Sequence, residues 1–484
     1  MGRPIRFLLD GEVRELPDDT DPTLTVLNLL RYHLRRTGTK EGCAEGDCGA
    51  CTVALGELAD GCVRVRAVNA CILFAPMLDG RALFTVESLG REGALHPVQE
   101  AMVHRHASQC GFCTPGFVMS LHAARRGGEV LDRAGLADAL AGNLCRCTGY
   151  GPILDAGLDT CLDTGRSGGD ADDAALTGTL EAIRPAEMLV LDHRGRRFLA
   201  PRSADELAAA LADNPEATLL AGGTDVGLWV TKQHRMLETV ISLNEAADLA
   251  RIDDLGHCVR IGAGVRYADA EPVLTALHPA FGELLRRLGG RQVRNLGTVC
   301  GNIANGSPIG DMPPALIAAG ATLALRQGEA RREIPLEAFF LAYGKQDLRP
   351  GEFVEAVIVR KPPGGRIFHL AKLSKRFEQD ISAVCLGLSV GLAGGRVTDA
   401  RVAFGGMAAI PKRAGAFEAA LAGRPWTEAG VEPALEALSQ DFRPISDMRA
   451  SAAYRLEAAR NLVRRAVLES AGAARLHDLR PVSA

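Results

Sequence analysis

The sequence predicts a multidomain α+β protein, in which a small β-grasp domain, a four-helix domain and a larger α+β region follow one another. Its 484 residues are enough for about three to four domains of roughly 100–200 residues each. The pattern changes from short alternating strands to helical periodicity near residue 93, and strands return after a Gly- and Asp-rich stretch that begins at Ser167. Apolar residues make up 47% and charged residues 24% of the chain, which is typical of globular domains with real cores.

The first predicted domain, residues 1–90, has the outline of a β-grasp fold. Strands are expected at residues 5–9 and 13–16, joined by Asp10-Gly11, a typical two-residue hairpin turn. Four leucines at helical spacing then predict one amphipathic helix: Leu24, Leu27, Leu30 and Leu34. Further short strands are predicted over residues 52–55 and 63–68, which would complete a mixed sheet under one helix.

The second predicted domain, residues 91–165, is helical. Four helices are expected over residues 97–106, 114–124, 133–141 and 153–163, and Pro97 and Pro115 suit the first turn of a helix. Residues 166–182 are small and acidic at their start and lack periodicity, so we expect a linker there.

The remaining chain predicts α+β structure in two parts, residues 183–364 and residues 365–484. A helix is expected at residues 205–212, strands at 217–221, 240–243 and 259–262, and a loop-rich stretch at 295–314. In the second part, strands at residues 385–392 and 397–404 and helices at 415–422, 427–438 and 448–471 predict a small antiparallel subdomain closed by helices.

Charge and cysteine usage narrow the class of protein. A net charge of −4 gives no indication of a nucleic-acid or anionic-membrane partner. No apolar run approaches the roughly 18 residues that a membrane span needs, and the N-terminus does not resemble a signal peptide. Thirteen cysteines without an export signal favour thiolates in a reducing compartment, so we expect a cytoplasmic protein.

Two cysteine quartets carry most of the functional information. The first is Cys43, Cys48, Cys51 and Cys71, and its C-x4-C-x2-C spacing is that of plant-type [2Fe–2S] ferredoxins. Glycines around these cysteines would let the loop wrap tightly about a cluster. A zinc site or buried free thiols are the alternatives, and Cys62 is the alternative to Cys71 as fourth ligand.

The second quartet consists of two close pairs, Cys110-x2-Cys113 and Cys145-x-Cys147. A C-x2-C pair at a helix start places thiolates where the helix dipole and free N–H groups stabilise negative charge. A thioredoxin-type redox pair would require a βαβ setting, which the helical surroundings do not supply. Zinc remains possible from the spacing alone.

The segments around both quartets resemble those of the molybdenum hydroxylases, the family of xanthine dehydrogenase and aldehyde oxidase. They read QCGFCTPG, NLCRCTGY and GCAEGDCGACTV. The resemblance implies that a plant-type domain is followed by a four-helix domain with a second [2Fe–2S] cluster, and that all eight cysteines are iron ligands.

A glycine turn beyond the linker predicts a second kind of cofactor. The segment Leu219–Val226 leaves a buried strand through Gly222-Gly223, and successive N–H groups in such a turn can hold a pyrophosphate. Plain turn chemistry is the alternative. The resemblance implies a non-Rossmann FAD-binding domain, and matching residue by residue gives these FAD contacts: Leu219, Leu220, Ala221, Gly222, Gly223, Thr224, Asp225, Val226, Leu288, Thr298, Val299, Cys300, Gly301, Asn302, Asp311, Val354 and Lys372.

The resemblance also implies an activity, that of the small subunit of a bacterial xanthine dehydrogenase. Electrons released at a molybdopterin site on a large partner subunit would pass through the helical-domain cluster, the plant-type cluster and FAD to NAD+. The reaction would be xanthine + NAD+ + H2O to urate + NADH, in an (αβ)2 heterotetramer. No side chain of this chain is expected to act as general acid or base.

Three points stay open at this stage. The substrate could be an aldehyde or another N-heterocycle, because the pocket would lie on the partner. The chain could instead be an iron–sulfur and flavin redox sensor without turnover. Tyr343 and Lys345 resemble the nicotinamide-side approach to the flavin, and an exposed loop tyrosine is the alternative.

Overall fold

The computed structural model describes residues 2–90, 93–129, 131–161 and 170–474. The chain divides into two compact units. The N-terminal unit comprises Met1–Ala250, Arg266–Ala268 and Gly289–Thr298, and the C-terminal unit comprises Arg251–Val265, Asp269–Leu288 and Val299–Ala484. Among the described helices, none combines the length and the apolar character that crossing a membrane requires.

The predicted β-grasp domain is confirmed. Its five-stranded sheet has the spatial order Glu12–Leu16, Ile5–Leu9, Ala82–Phe84, Thr52–Ala59 and Cys62–Asn69. Asp10 and Gly11 have φ values of 52° and 89°, so the first hairpin closes through a turn with two left-handed residues. The predicted helix is a short α-helical turn, Val26–Asn28, followed by a π-helical turn, Leu29–His33, and its leucines are buried against the sheet.

The four predicted helices of the second domain are also confirmed. They span Pro97–His104, Thr114–Arg126, Arg133–Leu140 and Gly151–Cys161. One apolar cluster holds them together, with a buried residue from each helix: Val98, Phe117, Leu136 and Ile153. Burial of such side chains contributes about 1.5–3 kcal/mol each, so packing rather than intrinsic helix propensity stabilises these short helices.

The expected linker is wrong for residues 170–182, which belong to the helix Asp170–Ile183. Leu180 of this helix is completely buried against Leu8 and Ala82 of the β-grasp sheet. Leu176, Leu180 and Ile183 recur at helical spacing, but the Ser/Gly-rich start of the segment obscured that stripe. Residues 166–169 lie outside the described residues.

A four-stranded sheet completes the N-terminal unit. Its order is Leu189–His193, Arg196–Ala200, Thr239–Ser242 and Thr218–Leu220, and the last three strands run parallel. Leu191, Phe198 and Val240 from this sheet belong to the same apolar core as the β-grasp residues. The sheet and the β-grasp domain are therefore packed as one body.

The C-terminal unit contains two larger antiparallel sheets. One has the order Ile252–Asp254, Cys258–Gly262, Phe353–Arg360, Thr322–Gln327 and Ala330–Pro335. The other has the order Ile367–Leu373, Val384–Ala393, Arg396–Gly405 and Lys412–Arg413, as the predicted C-terminal subdomain requires. A hairpin of Phe340–Ala342 and Lys345–Gln346 is separate from both.

The remaining helices are mostly short. The α-helices are Ala204–Asp213, Val226–Thr231, Tyr267–Leu277, Pro279–Arg286, Arg291–Arg294, Val299–Asn305, Met312–Ala318, Gly415–Leu421, Glu428–Val431, Leu438–Asp441 and Ala452–Ser470. The 3-10 turns are Ala75–Leu78, Val86–Ser88, Ala247–Ala250, Leu336–Ala338 and Glu432–Ala437. The single helix expected at residues 427–438 is thus divided.

The prediction of a loop-rich stretch at residues 295–314 is also wrong, because two helices occupy much of it. Val299–Asn305 is helical despite Gly301 and Asn302, and Met312–Ala318 begins with prolines in its first turn. Intrinsic propensity is a weak guide where tertiary packing decides, and Val299, Cys300 and Ile303 are buried.

Candidate cluster and flavin sites

The first quartet lies on the loop between the helical turn Leu29–His33 and the strand Thr52–Ala59, with Cys71 just after the strand Cys62–Asn69. The Cys43 thiol interacts with the thiols of Cys48 and Cys71, and Cys51 interacts with Cys71. The backbone N–H groups of Glu45, Asp47 and Cys48 donate to Cys43 Sγ over 3.4, 3.4 and 3.3 Å. Amides that converge on sulfur are the contacts that tune iron–sulfur clusters.

Left-handed residues make this tight loop possible. Ala44, Gly46 and Gly49 have φ values of 55°, 78° and 71°. A Cβ atom added to Gly42 would lie 2.7 Å from Cys48 Sγ, too close for any real contact. The glycines therefore leave the space beside the sulfurs open.

The structure distinguishes the two candidates for fourth ligand. Cys62 is exposed and donates through its Sγ to Ala59 O at the far end of the hairpin. Cys71 is buried beside Cys43 and Cys51. The geometry thus supports Cys71.

The second quartet joins two helix starts in the four-helix domain. Cys113 is the N-cap residue of Thr114–Arg126, and Cys145 and Cys147 precede Gly151–Cys161. The thiols interact as the pairs Cys110–Cys147 and Cys113–Cys145. Cys110 and Cys147 are exposed, whereas Cys145 is buried.

Two side-chain hydroxyls support the second quartet. The backbone N–H of Cys145 donates to the Tyr150 hydroxyl over 3.1 Å, and Thr148 Oγ1 lies 3.1 Å from Cys145 Sγ. Burial is the main cause that raises the pKa of the Cys113 thiol to about 12. This thiol would need a strong positive charge beside it to ionise.

Among the described residues, no group of three or more His, Cys, Asp or Glu side chains is placed to hold a metal ion. Each quartet instead brings four thiols together, the first as the linked series Cys48–Cys43–Cys71–Cys51 and the second as two pairs. A [2Fe–2S] cluster has two irons, each with two protein ligands. The four thiols of each quartet therefore fit such a cluster in number, and their role as ligands stays a prediction.

The predicted glycine turn lies in the N-terminal unit, between the strand Thr218–Leu220 and the helix Val226–Thr231. Gly223 has a φ of 73°, and a Cβ on Gly222 would lie 1.9 Å from Leu296 O. Asn244 Nδ2 donates to Ala221 O over 2.9 Å and fixes the start of the turn. Only glycine fits at position 222, so the backbone there is held for close approach.

The other predicted flavin residues, apart from Thr298, lie in the C-terminal unit. Lys372 Nζ donates to Asp311 Oδ2 over 2.7 Å and to Arg287 O over 2.9 Å, and Ser382 Oγ also donates to Asp311. Asp311, Lys372 and Ser382 are all buried. The structure brings two predicted residues together as a buried ion pair and adds Ser382, which no sequence signal indicated.

Residues 299–302 are helical rather than an open loop. The buried Oδ1 atom of Asn302 has no hydrogen-bond partner among the described residues. Burial raises the pKa of the Cys300 thiol to about 12, and its Sγ donates to Ile261 O over 3.6 Å. Cys300 is thus an inert, packed thiol, while Asn302 offers an unused acceptor.

The last predicted residues differ in exposure. Leu288 and Val354 are buried, and Val354 is paired with Leu325 in the five-stranded sheet. Tyr343 is 76% exposed in the turn between the two short hairpin strands, next to Lys345. Contact of Tyr343 and Lys345 with a nicotinamide stays a prediction.

Sequence analysis did not indicate Gln292, which is 1% exposed and hydrogen-bonded to Thr52, Ser120 and Asn143. Thr52 follows Cys51 of the first quartet, and Asn143 lies two residues before Cys145 of the second. A glutamine in a polar helical turn carries no pattern that predicts burial.

Three family models match parts of the chain. Residues 85–158 match a [2Fe-2S] binding domain, residues 194–362 match the FAD binding domain in molybdopterin dehydrogenase, and residues 369–470 match the CO dehydrogenase flavoprotein C-terminal domain. The matched ranges include the second quartet, the glycine turn and the C-terminal antiparallel sheet.

Individual relatives extend the match over most of the chain. It is 30% identical to a xanthine dehydrogenase of Emericella nidulans over 90% of this chain and 36% of that protein. It is 33% identical to aldehyde oxidase 1 of Cavia porcellus over 88% and 36%, respectively. This chain therefore spans about a third of the length of these curated relatives.

A solved structure covers part of the chain. A chain of carbon monoxide dehydrogenase from Hydrogenophaga pseudoflava superposes with a TM-score of 0.53 and 31% identity, over 55% of this chain and 94% of that chain. A chain of quinoline 2-oxidoreductase from Pseudomonas putida, with 24% identity and a TM-score of 0.52, shares the fold.

Proposed function

This chain belongs to the molybdenum hydroxylase family, as its iron–sulfur and FAD subunit, and we propose that it carries electrons from a molybdopterin site on a partner subunit to NAD+. The observation that supports this most is that both cysteine quartets and the glycine turn lie in one compact unit. When bound, [2Fe–2S] clusters supply single-electron transfer, and FAD joins one-electron to two-electron chemistry.

Exposure suggests the order in which the two quartets act. Cys110 and Cys147 are exposed, and so are Phe112 and Tyr150 beside them. The first quartet is more enclosed. Its Cys71 is followed by Ile72, whose backbone O packs closely against Gly227, just after the glycine turn. A Cβ atom added to Gly227 would lie 2.9 Å from that oxygen. The open quartet would face the partner, and the enclosed one would face the flavin.

We propose xanthine as the substrate oxidised by the partner subunit, with urate and NADH as products. The Emericella nidulans relative named xanthine dehydrogenase supports this choice. The Cavia porcellus relative named aldehyde oxidase 1 supports a second candidate, aldehyde oxidation through the same relay. An (αβ)2 assembly would follow from the family.

The decisive experiment is to isolate the protein together with its partner and to assay the pair. We expect about four iron atoms and about one FAD on this chain and molybdenum on the co-purifying subunit. Xanthine-dependent NADH formation is the expected activity. Oxidation of aldehydes alone would replace the first candidate by the second, and a protein with iron and FAD but no turnover would favour a redox sensor.

A further inference from the structure

The segment Gly289–Thr298 belongs to the N-terminal unit, and its Gln292 is buried there. Gln292 Nε2 donates to Asn143 Oδ1 over 2.8 Å and to Thr52 Oγ1 over 3.1 Å. Thr52 follows Cys51 of the first quartet, and Asn143 lies two residues before Cys145 of the second. One buried amide thus contacts the neighbours of both quartets.

Asn143 closes this polar network. Its Nδ2 donates to Gly49 O over 3.2 Å, on the loop between Cys48 and Cys51. Ser120 Oγ donates to Asn143 Oδ1 over 2.7 Å. Because these groups are buried, removing one member takes a hydrogen bond from each of its neighbours, and water does not readily replace it.

A backbone hydrogen bond runs directly between the two cysteine loops. The N–H of Leu144 donates to Cys48 O over 2.9 Å. Cys48 belongs to the first quartet, and Leu144 is bonded to Cys145 of the second. A path from one quartet to the other therefore consists of covalent bonds and a single hydrogen bond, along which electronic coupling decays more slowly than through space.

Glycines make this approach possible and leave little freedom in it. A Cβ on Gly49 would lie 2.1 Å from Gly142 O, and a Cβ on Gly116 would lie 2.2 Å from Gly49 O. Leu296 O of the segment Gly289–Thr298 lies 1.9 Å from where a Cβ on Gly222 would be, at the glycine turn. The segment therefore contacts the surroundings of both quartets and of the predicted flavin turn.

We propose that Gln292 is a positioning residue for electron transfer, which fixes the hydrogen-bonded path Cys48–Leu144–Cys145 between the two quartets. This inference rests on the proposed relay. Gln292 would touch neither cluster, and it acts through Asn143 and Thr52.

The test uses the complex of this chain with its partner, reduced with dithionite so that both clusters are paramagnetic. Magnetic interaction between two nearby clusters splits their low-temperature EPR signals, and the splitting depends steeply on separation and on the connecting path. We expect the EPR signals of the wild-type complex to be split. In Gln292→Leu the splitting should be lost, while the iron content and the g values of each cluster stay unchanged. Gln327→Leu, a change at an exposed glutamine of the C-terminal unit, should keep the wild-type splitting.

Two milder variants keep the inference testable if Gln292→Leu does not fold. Thr52→Val and Ser120→Ala each remove one hydroxyl from the network with little change in volume. Both should weaken the splitting in the same direction. Wild-type splitting in all variants that fold, or its absence in wild-type protein carrying both clusters, overturns the role of Gln292 and leaves the relay intact. A complex without the two clusters overturns the relay itself.

Discussion

The two cysteine quartets lie in the same compact unit, yet they are held in different ways. The first is wrapped by its own backbone, with three amide N–H groups donating to Cys43 Sγ and with Cys51 and Cys71 buried. The second leaves Cys110 and Cys147 exposed and gains support from the hydroxyls of Thr148 and Tyr150. Four thiols alone do not determine a site, because the enclosing chain determines what can reach it.

The largest expected effect tests which cysteines hold the first cluster. Replacing Cys71 by Ser should abolish the first cluster, since it removes a thiol that interacts with both Cys43 and Cys51. The iron content should fall from about four to about two atoms per chain, and one of two EPR signals should disappear.

Cys62→Ser is the matched control, because Cys62 is exposed at the far end of the same hairpin. It should leave iron content and both EPR signals unchanged. Loss of the cluster in Cys62→Ser with retention in Cys71→Ser would reverse the ligand assignment.

The second prediction concerns the close approach of the two cysteine loops. Gly49→Ala combines a left-handed φ of 71° with a Cβ 2.1 Å from Gly142 O. The left-handed conformation costs about 1–2 kcal/mol for alanine, and overpacking adds about 1–3 kcal/mol. We expect a clearly lower midpoint of urea unfolding and weaker binding of both clusters.

Gly61→Ala separates the two causes. Gly61 has a φ of 77°, but nothing lies within 4 Å of the added Cβ. The free energy of unfolding of Gly61→Ala should therefore fall only by the cost of the left-handed conformation, about 1–2 kcal/mol. Equal losses in the two variants would mean that the loops do not pack against each other as described.

The sequence predicted local features of these sites better than their surroundings. The hairpin turn at Asp10-Gly11, the four helices and the grouping of the cysteines follow from short-range patterns, because turn chemistry and helical periodicity are encoded within a few residues. The burial of Gln292 and the pairing of Asp311 with Ser382 depend on residues far apart in sequence, so no local pattern contains them. The helix Asp170–Ile183 was missed because the Ser/Gly-rich start of its segment outweighed the short apolar stripe Leu176, Leu180 and Ile183.

The third prediction separates the two regions by pH. Burial, with smaller contributions from His96, Arg126 and Arg125, lowers the pKa of His122 from 6.5 to about 3 in the four-helix domain. His122 therefore stays neutral in the folded protein but binds a proton when unfolded below about pH 6.5. As the pH is lowered from 6.5 to 3, the free energy of unfolding should fall by up to about 1.4 kcal/mol for each pH unit.

Urea unfolding between pH 7 and pH 5 measures this slope. His122→Gln should flatten it, whereas His257→Gln, at an exposed position, should retain the wild-type slope. The second cluster should be lost before the first on acidification. An unchanged slope in His122→Gln would assign the acid sensitivity to other groups.

The smallest expected effect distinguishes support by side chains from support by backbone. Tyr150→Phe removes the hydroxyl that accepts the Cys145 N–H, but it keeps the ring that packs edge-on against Phe117 with centroids 6.3 Å apart. Because Tyr150 is 37% exposed, water can replace the hydroxyl, and the cost should be only about 0.5–1 kcal/mol. The EPR signal or potential of the second cluster should shift slightly, and the first should not change.

Tyr454→Phe, at an exposed position of the C-terminal unit, is the control and should affect neither cluster. A shift of the first cluster in Tyr150→Phe would show that this hydroxyl supports the first quartet as well as the second. Apart from proline, no substitution removes the amide donors around Cys43, because they belong to the backbone of Glu45, Asp47 and Cys48. The first site is thus fixed by the path of the chain, whereas the second can be adjusted one hydroxyl at a time.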